Sequence, residues 1–377
     1  MKLLAISIAT LLVCTGCPVG GGTSTPIGAN DDLPDLPAGG SVVIANSLSE
    51  TLSSIDLTTT PPQLTNDIAL TGQAPNALLL HGDQVLVLNS LSNSLQVLDL
   101  ATLATVAEYS TGPRTNPWDL VVDDDGIAWI TCWVSQELIG IALADGATVA
   151  RIPAPSGEAL PHPIETPTKA HPQGIGRDPA SGTISIAIPN LDALFLPQGP
   201  GLIWQLNRDG VSYIDAALRS ITGTTYASDI EATTIGGRSA LVVACSGPFD
   251  PGTGYVEAGA IAWIDGPTGT VRELRSVDSA PVYIAVRGSQ VWCAGAQTGD
   301  VVGVDFANED PPIRLTLPDS GTGLNYTSAL AFADDTTLLA LQFNADRLYA
   351  IDTESLAVSG GVTLGDGPVA LIVVPRD

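Results

Sequence analysis

The chain has 377 residues, 45% of them apolar and only 5% aromatic, with 39 glycines, 28 prolines and a formal net charge of −26. With 14 Lys and Arg against 40 Asp and Glu, the surface would repel phosphate, which excludes nucleic acid and bare anionic lipid as partners. The acidity itself has two readings, solubility in saline surroundings or attraction of a cationic partner, while the Gly and Pro content suits an all-β fold with many turns.

Residues 1–17 read MKLLAISIATLLVCTGC: one Lys, an apolar run too short to span a bilayer, then small residues. That is the pattern of a signal peptide over 1–16. The ending Thr15-Gly16-Cys17 resembles a bacterial lipobox, with Cys14 where Leu is usual, and the resemblance implies lipidation at Cys17. Ordinary secretory cleavage is the alternative. Pro18 after the modified position, with no Asp there, implies by the same resemblance an outer-membrane lipoprotein of the cell envelope, its head facing the periplasm or the outside. Residues 17–40 are rich in Gly, Pro, Thr and Asp and read as a flexible linker, with an r.m.s. span of about 25 Å.

From residue 41 to 377 a short apolar run recurs seven times, beginning at Pro75, Pro117, Pro172, Ala227, Pro281, Thr327 and Pro368. A period of about 40–50 residues with several strands each predicts a seven-bladed all-β propeller of four-stranded antiparallel blades. Blade two is the clearest: PNALLL, QVLVLN, NSLQVLDL and ATVAEYS, joined by Gly, Asn, Ser and Asp turns. Blade one is split. SVVIAN (41–46), TLSSIDL (51–57) and QLTNDIAL (63–70) lack an inner partner, which the C-terminal PVALIVVP supplies, closing the sheet edges. Blade seven reads SALAFADD, TTLLALQF, DRLYAID and LAVSGGVTL.

The segments VVIANSLSETLSSIDL, VLVLNSLSNSLQVLDLATLATV and LLALQFNADRLYAID resemble the YVTN-repeat propellers and their lactonase-like relatives. Strands end in Asn at Asn46 and Asn89, and the next strands end in Asp at Asp56, Asp99, Asp265, Asp305 and Asp352. The resemblance implies the fold and little about activity, because propellers host many functions.

Three residues after its start, each inner strand carries an apolar residue: Leu78, Leu120, Ile175, Ile230, Ile284, Leu330 and Leu371. The flanking positions face the other way, towards the channel, and are mostly Ala and Gly, with polar exceptions at Asp119, Asp229, Glu231 and Tyr283. Asp119, Asp229 and Glu231 are therefore candidate ligands for Ca²⁺, which prefers oxygen donors, with simple hydration of the three carboxylates as the rival reading.

Long connections at 153–171, 189–201 and 246–259 crowd blades four and five. Leu194, Phe195, Phe249 and Tyr255 in those loops, with Trp118, His171 and Tyr283 beside them, are the candidate binding residues. His162 and His171 both lie in or next to the crossover. Cys132, Cys245 and Cys293 read as small buried fillers. Outside the signal segment, with its Cys14-Thr15-Gly16-Cys17, no CxxC pair, phosphate loop, nucleophile elbow or HExxH helix occurs.

The expectation is a monomeric head domain that binds a protein, a glycan or a small molecule through its loop-rich face, touches the membrane only through its lipid, and is not an enzyme. The alternative is a metal-dependent enzyme of lactonase or lyase type at the channel mouth.

Overall fold

The computed structural model describes residues 24–26, 40–59, 61–156, 169–192, 195–197, 199–210, 212–250, 254–255, 259–266, 268–296, 299–318 and 326–375. Cys17, the signal segment, His162 and Leu194 lie outside these residues. Among the described residues there is no helix, and seven four-stranded antiparallel sheets define an all-β, seven-bladed propeller. The chain divides into two compact units.

The first unit holds blades one, two and seven. In blade one the C-terminal strand Pro368–Val374 pairs with Ser41–Asn46, from Ser41 opposite Val374 to Asn46 opposite Pro368. The split blade is thus closed by the end of the chain, as expected. Ile44, Ile55, Leu339, Leu341 and Leu371 share one buried cluster, so the last strand also fills core volume. Residues 24–26, within the segment expected to be linker, add a fifth strand against Gln63–Thr65 on the outer edge. Blade two repeats the four expected strands, Pro75–His81, Gln84–Asn89, Ser94–Asp99 and Thr105–Ser110. Asp99 closes its turn through the Thr102 N–H and hydroxyl, at 2.9 and 2.7 Å.

Blade seven departs from expectation in its outer strand, which is only Val362–Thr363. Gly361 there lies against the Tyr349 ring, where an added Cβ would fall 2.8 Å from ring carbons. The run LAVSGGVTL therefore packs as a glycine-bearing passage over an aromatic ring, not as one continuous strand.

The second unit holds blades three to six, with cores built around Trp129 and Trp204 and around Val242, Ile261 and Ile284. Asp123 anchors the first turn of blade three, accepting N–H bonds from Asp125, Ile127 and the Trp129 indole at 2.9, 3.1 and 2.9 Å. The inner strand of blade four begins at Ile175, not at Pro172. His171, at φ 50°, turns the chain just before it, and the Gly174 N–H bonds instead to Ser228 of blade five at 3.1 Å.

The apolar residues three after each start behave as the alternation predicts. Leu120, Ile175, Ile230, Ile284, Leu330 and Leu371 are buried, and Leu78 is half-buried. Cys132, Cys245 and Cys293 are buried free thiols, and burial raises the pKa of each.

Candidate functional site

Two features of the second unit concern function, one on its inner strands and one among its loops.

Asp119, Asp229, Glu231 and Tyr283 all lie half-buried on the inner strands of blades three, five and six. Asp119 takes the Leu120 N–H of its own strand on Oδ1, at 2.8 Å, and the Ile175 N–H of blade four on Oδ2, at 3.1 Å. Asp229 repeats this geometry with Ile230 at 2.8 Å and Ile284 of blade six at 2.9 Å. A carboxylate at this position ties its strand to the inner strand of the following blade. Gly174 makes room for Asp229, since a Cβ there would sit 2.6 Å from the Asp229 Cα.

Loss of hydration dominates the protonation of the group. It pushes Asp119 up to about 7, helped by the charge of Asp229. Asp229 is raised to about 6, burial outweighing the pull of its two N–H bonds. Glu231 rises to about 8 through burial and then the charges of Asp229 and Asp119. The Tyr283 phenol is raised by burial and by the same two carboxylates. All four Asp oxygens already hold backbone N–H groups, and among the described residues no cluster of three or more His, Cys, Asp or Glu is placed to share a metal ion.

The second feature is a pocket of about 190 Å³ lined by Trp133, Val134, Gln136, Lys169, His171, Asp192 and Phe195. It is assembled from three segments. Trp133 and Val134 form the turn after the second strand of blade three, and Lys169 and His171 end the crossover into blade four. Asp192 and Phe195 belong to the long loop of blade four. A Lys169–Leu191 backbone pair, with N–O distances of 2.7 and 3.0 Å, pins that loop to the crossover. Asp192 shapes the tip by accepting the Phe195 N–H on its carbonyl and the Leu196 N–H on Oδ1, each at 3.0 Å.

Aromatic rings make the walls. Trp133 stacks on Phe195 at 5.2 Å between centroids and 19° between planes, and it lies 4.4 Å from His171. Trp118 extends the stack at 6.2 Å. His171 and Trp133 are each only 4% exposed, so their polar atoms must find partners inside the protein. His171 Nδ1 lies 3.0 Å from the Trp133 carbonyl, which can only accept, so Nδ1 carries the proton. Its Nε2 and the Trp133 Nε1 are buried without partners among the described residues. Burial pushes His171 down to about 4, the Trp133 carbonyl opposing and the Lys169 charge adding to the shift, so the ring is neutral near pH 7.

Of the predicted binding residues, the pocket brings together His171 and Phe195, and Trp118 stacks on its wall residue Trp133. Tyr283 lies on the inner-strand face instead. Phe249 pairs with Tyr255 in a two-strand hairpin, Phe249–Asp250 with Gly254–Tyr255, in the loop of blade five. Sequence reasoning missed Trp133 and Lys169. Trp133 stands where blades one and two carry Ser47 and Ser90, and Lys169 is the only lysine after Lys2. Both signals were present in the chain.

No protein-family profile matches this sequence, and no curated protein matches it. Among solved structures it is similar to a streptogramin B lyase, with 17% identity, a TM-score of 0.57 and coverage of 80% of this chain and 90% of that one. It is similar to apo AztD from Citrobacter koseri, at 11% identity, TM-score 0.54 and coverage of 90% and 88%. It is also similar to the dihydro-heme d1 dehydrogenase NirN in complex with DHE, at 15% identity, TM-score 0.57 and coverage of 90% and 77%. At these identities the likeness defines a class, the seven-bladed propellers, and leaves the activity open.

Proposed function

We propose that this protein is a cell-envelope lipoprotein of the YVTN-repeat and lactonase-like kind, tethered through Cys17, whose propeller is a binding or scaffold module. Its loop-rich face over blades three to five does the binding. The observation that carries the reading is the pocket walled by Trp133, His171 and Phe195, whose Trp133 Nε1 and His171 Nε2 are buried without partners among the described residues. Small-molecule sites have this build, apolar walls with a few placed polar groups.

The test is an array of envelope glycans and peptides probed with the protein and with Phe195→Ala. The partner captured by the protein should be lost, or bound at least tenfold more weakly, by the variant. Equal capture by both would remove the loop face from the function.

A second reading, an enzyme of lactonase or lyase type using Ca²⁺ at the inner strands, draws on one specific observation. Glu231 alone of the three carboxylates has no hydrogen-bond partner among the described residues and is poised near neutral pH. Calcium-dependent stabilisation that Glu231→Gln abolishes would favour this reading.

A further inference from the structure

The outer edge of a sheet leaves backbone N–H and C=O groups open to pairing, and blade one covers part of its own edge with the tether. Residues Ser24–Pro26 pair antiparallel with the outer strand Gln63–Leu70, Ser24 opposite Thr65 and Pro26 opposite Gln63. In the sequence they lie inside the stretch that reads as free linker. The pairing divides that stretch into two parts of different reach.

Ser24 stands seven residues after Cys17, whereas Gly40, at the entrance to the propeller, stands twenty-three after it. Seven residues reach about 25 Å when fully extended and about 15 Å as a flexible coil. A lipid on Cys17 therefore holds the edge of blade one close to the bilayer, instead of letting the head swing on the whole linker. The register also fixes where the tether leaves the sheet. It leaves at the Thr65 end of the pairing, the end nearer Ile68 and Leu70 on the same outer strand. These two side chains are 43% and 55% exposed and, being two residues apart, lie on one face of the strand. Asp67, the strand's one acid, is turned onto the Thr51 hydroxyl at 2.6 Å. Exposed apolar side chains gain by leaving water for the acyl boundary, and a lipid surface without net charge does not repel a chain of net charge −26.

We propose that Ser24–Pro26 is a docking strand that fixes the exit of the tether, and that the edge of blade one bearing Ile68 and Leu70 rests on the bilayer surface. Membrane contact then extends beyond the lipid itself. This rests on the lipoprotein reading above and not on the pocket.

The test places the mature lipidated protein in phosphatidylcholine vesicles carrying spin-labelled lipid, with tryptophan as the probe. Leu70→Trp should lose more emission to the quencher than the parent protein does. Val106→Trp, at a comparably exposed site on the outer strand of blade two, should lose no more than the parent. Ser24→Pro combined with Thr25→Pro removes two backbone N–H groups from the pairing at the outer edge of the sheet. That frees the full linker, so the added quenching at Leu70→Trp should fall about sixfold, by the −3/2 power of tether length. Hydrogen exchange within Gln63–Thr65 should quicken roughly two- to tenfold in the same double variant, the range for one lost hydrogen bond, while exchange elsewhere reports an intact head. Equal quenching at Leu70→Trp and Val106→Trp, or a double variant in which quenching or exchange is unchanged, would overturn the proposal. Mass spectrometry of the mature N-terminal peptide separates it from the reading beneath it. No lipid on Cys17 removes both, whereas lipid on Cys17 with an unquenched Leu70→Trp removes only the bilayer contact.

Discussion

Replacing Glu231 by Gln should make this protein more stable, and only at neutral to alkaline pH. The Glu231 carboxyl rises from 4.5 to about 8 in the folded state because burial and two neighbouring carboxylates oppose its ionisation. Below about pH 4.5 it is protonated folded and unfolded, and folding is unaffected. Between 4.5 and 8 the unfolded chain releases the proton more readily, so stability falls as pH rises, and the full penalty is present above pH 8. A shift of this size has a ceiling of about 5 kcal/mol. Glu231 keeps part of its surface in water, which reduces the realistic value to about 1–2 kcal/mol. For a chain this long that is a rise of about 2 °C in melting temperature. Gln carries no charge at any pH, so the two melting curves should coincide near pH 4.5 and separate progressively to pH 8.5. Calorimetry in EDTA across that range is the assay. A difference that does not change with pH, or a variant that melts lower at pH 8.5, would refute the reasoning. The same scan in millimolar Ca²⁺ tests the metal reading, because a bound cation would reverse the sign and favour the wild-type carboxylate.

Other consequences are structural. Asp123→Ala strands the Trp129 indole N–H and two backbone N–H groups inside blade three, and chemical denaturation should show a loss of about 3 kcal/mol. Gly174→Ala puts a methyl 2.6 Å from the Asp229 Cα, where the backbone gives way only with strain, so a loss of about 1–3 kcal/mol is expected, and an unchanged melt would count against the inter-blade tie. Removing residues 368–377 leaves Ser41–Asn46 without its inner partner and takes Leu371 from a buried cluster. Cooperative thermal unfolding should be lost, and a truncated protein with an unchanged transition would show that the closing strand is dispensable.

How far the chain alone reaches can be judged from particular residues. The blades were legible because a short apolar run bounded by turn residues is a local pattern. SVVIAN, PNALLL and QVLVLN carry it on their own, and the closing role of PVALIVVP follows from a count of strands. Asp119 and Asp229 were recognised as unusual on their strands. Their bonds to Ile175 and Ile284 were not readable, because those partners are 55 or more residues away and meet them only when neighbouring blades pack. The pocket was half legible. His171 and Phe195 stood out in long loops, whereas Trp133 sat unremarked in a short turn.

Sequence by itself determined the repeat, the all-β class, the split first blade and the identity of the odd residues, since each rests on near neighbours and periodicity. Tertiary structure alone decided which of those residues share a site. It brought residues 133, 169, 171 and 195 from three segments against one small volume and left Trp133 Nε1 and His171 Nε2 buried without partners among the described residues. It also showed Asp119 and Asp229 accepting N–H bonds from the inner strands of the following blades. Which polar atoms are left without partners depends on how every neighbouring strand packs, and no local pattern in the chain encodes that.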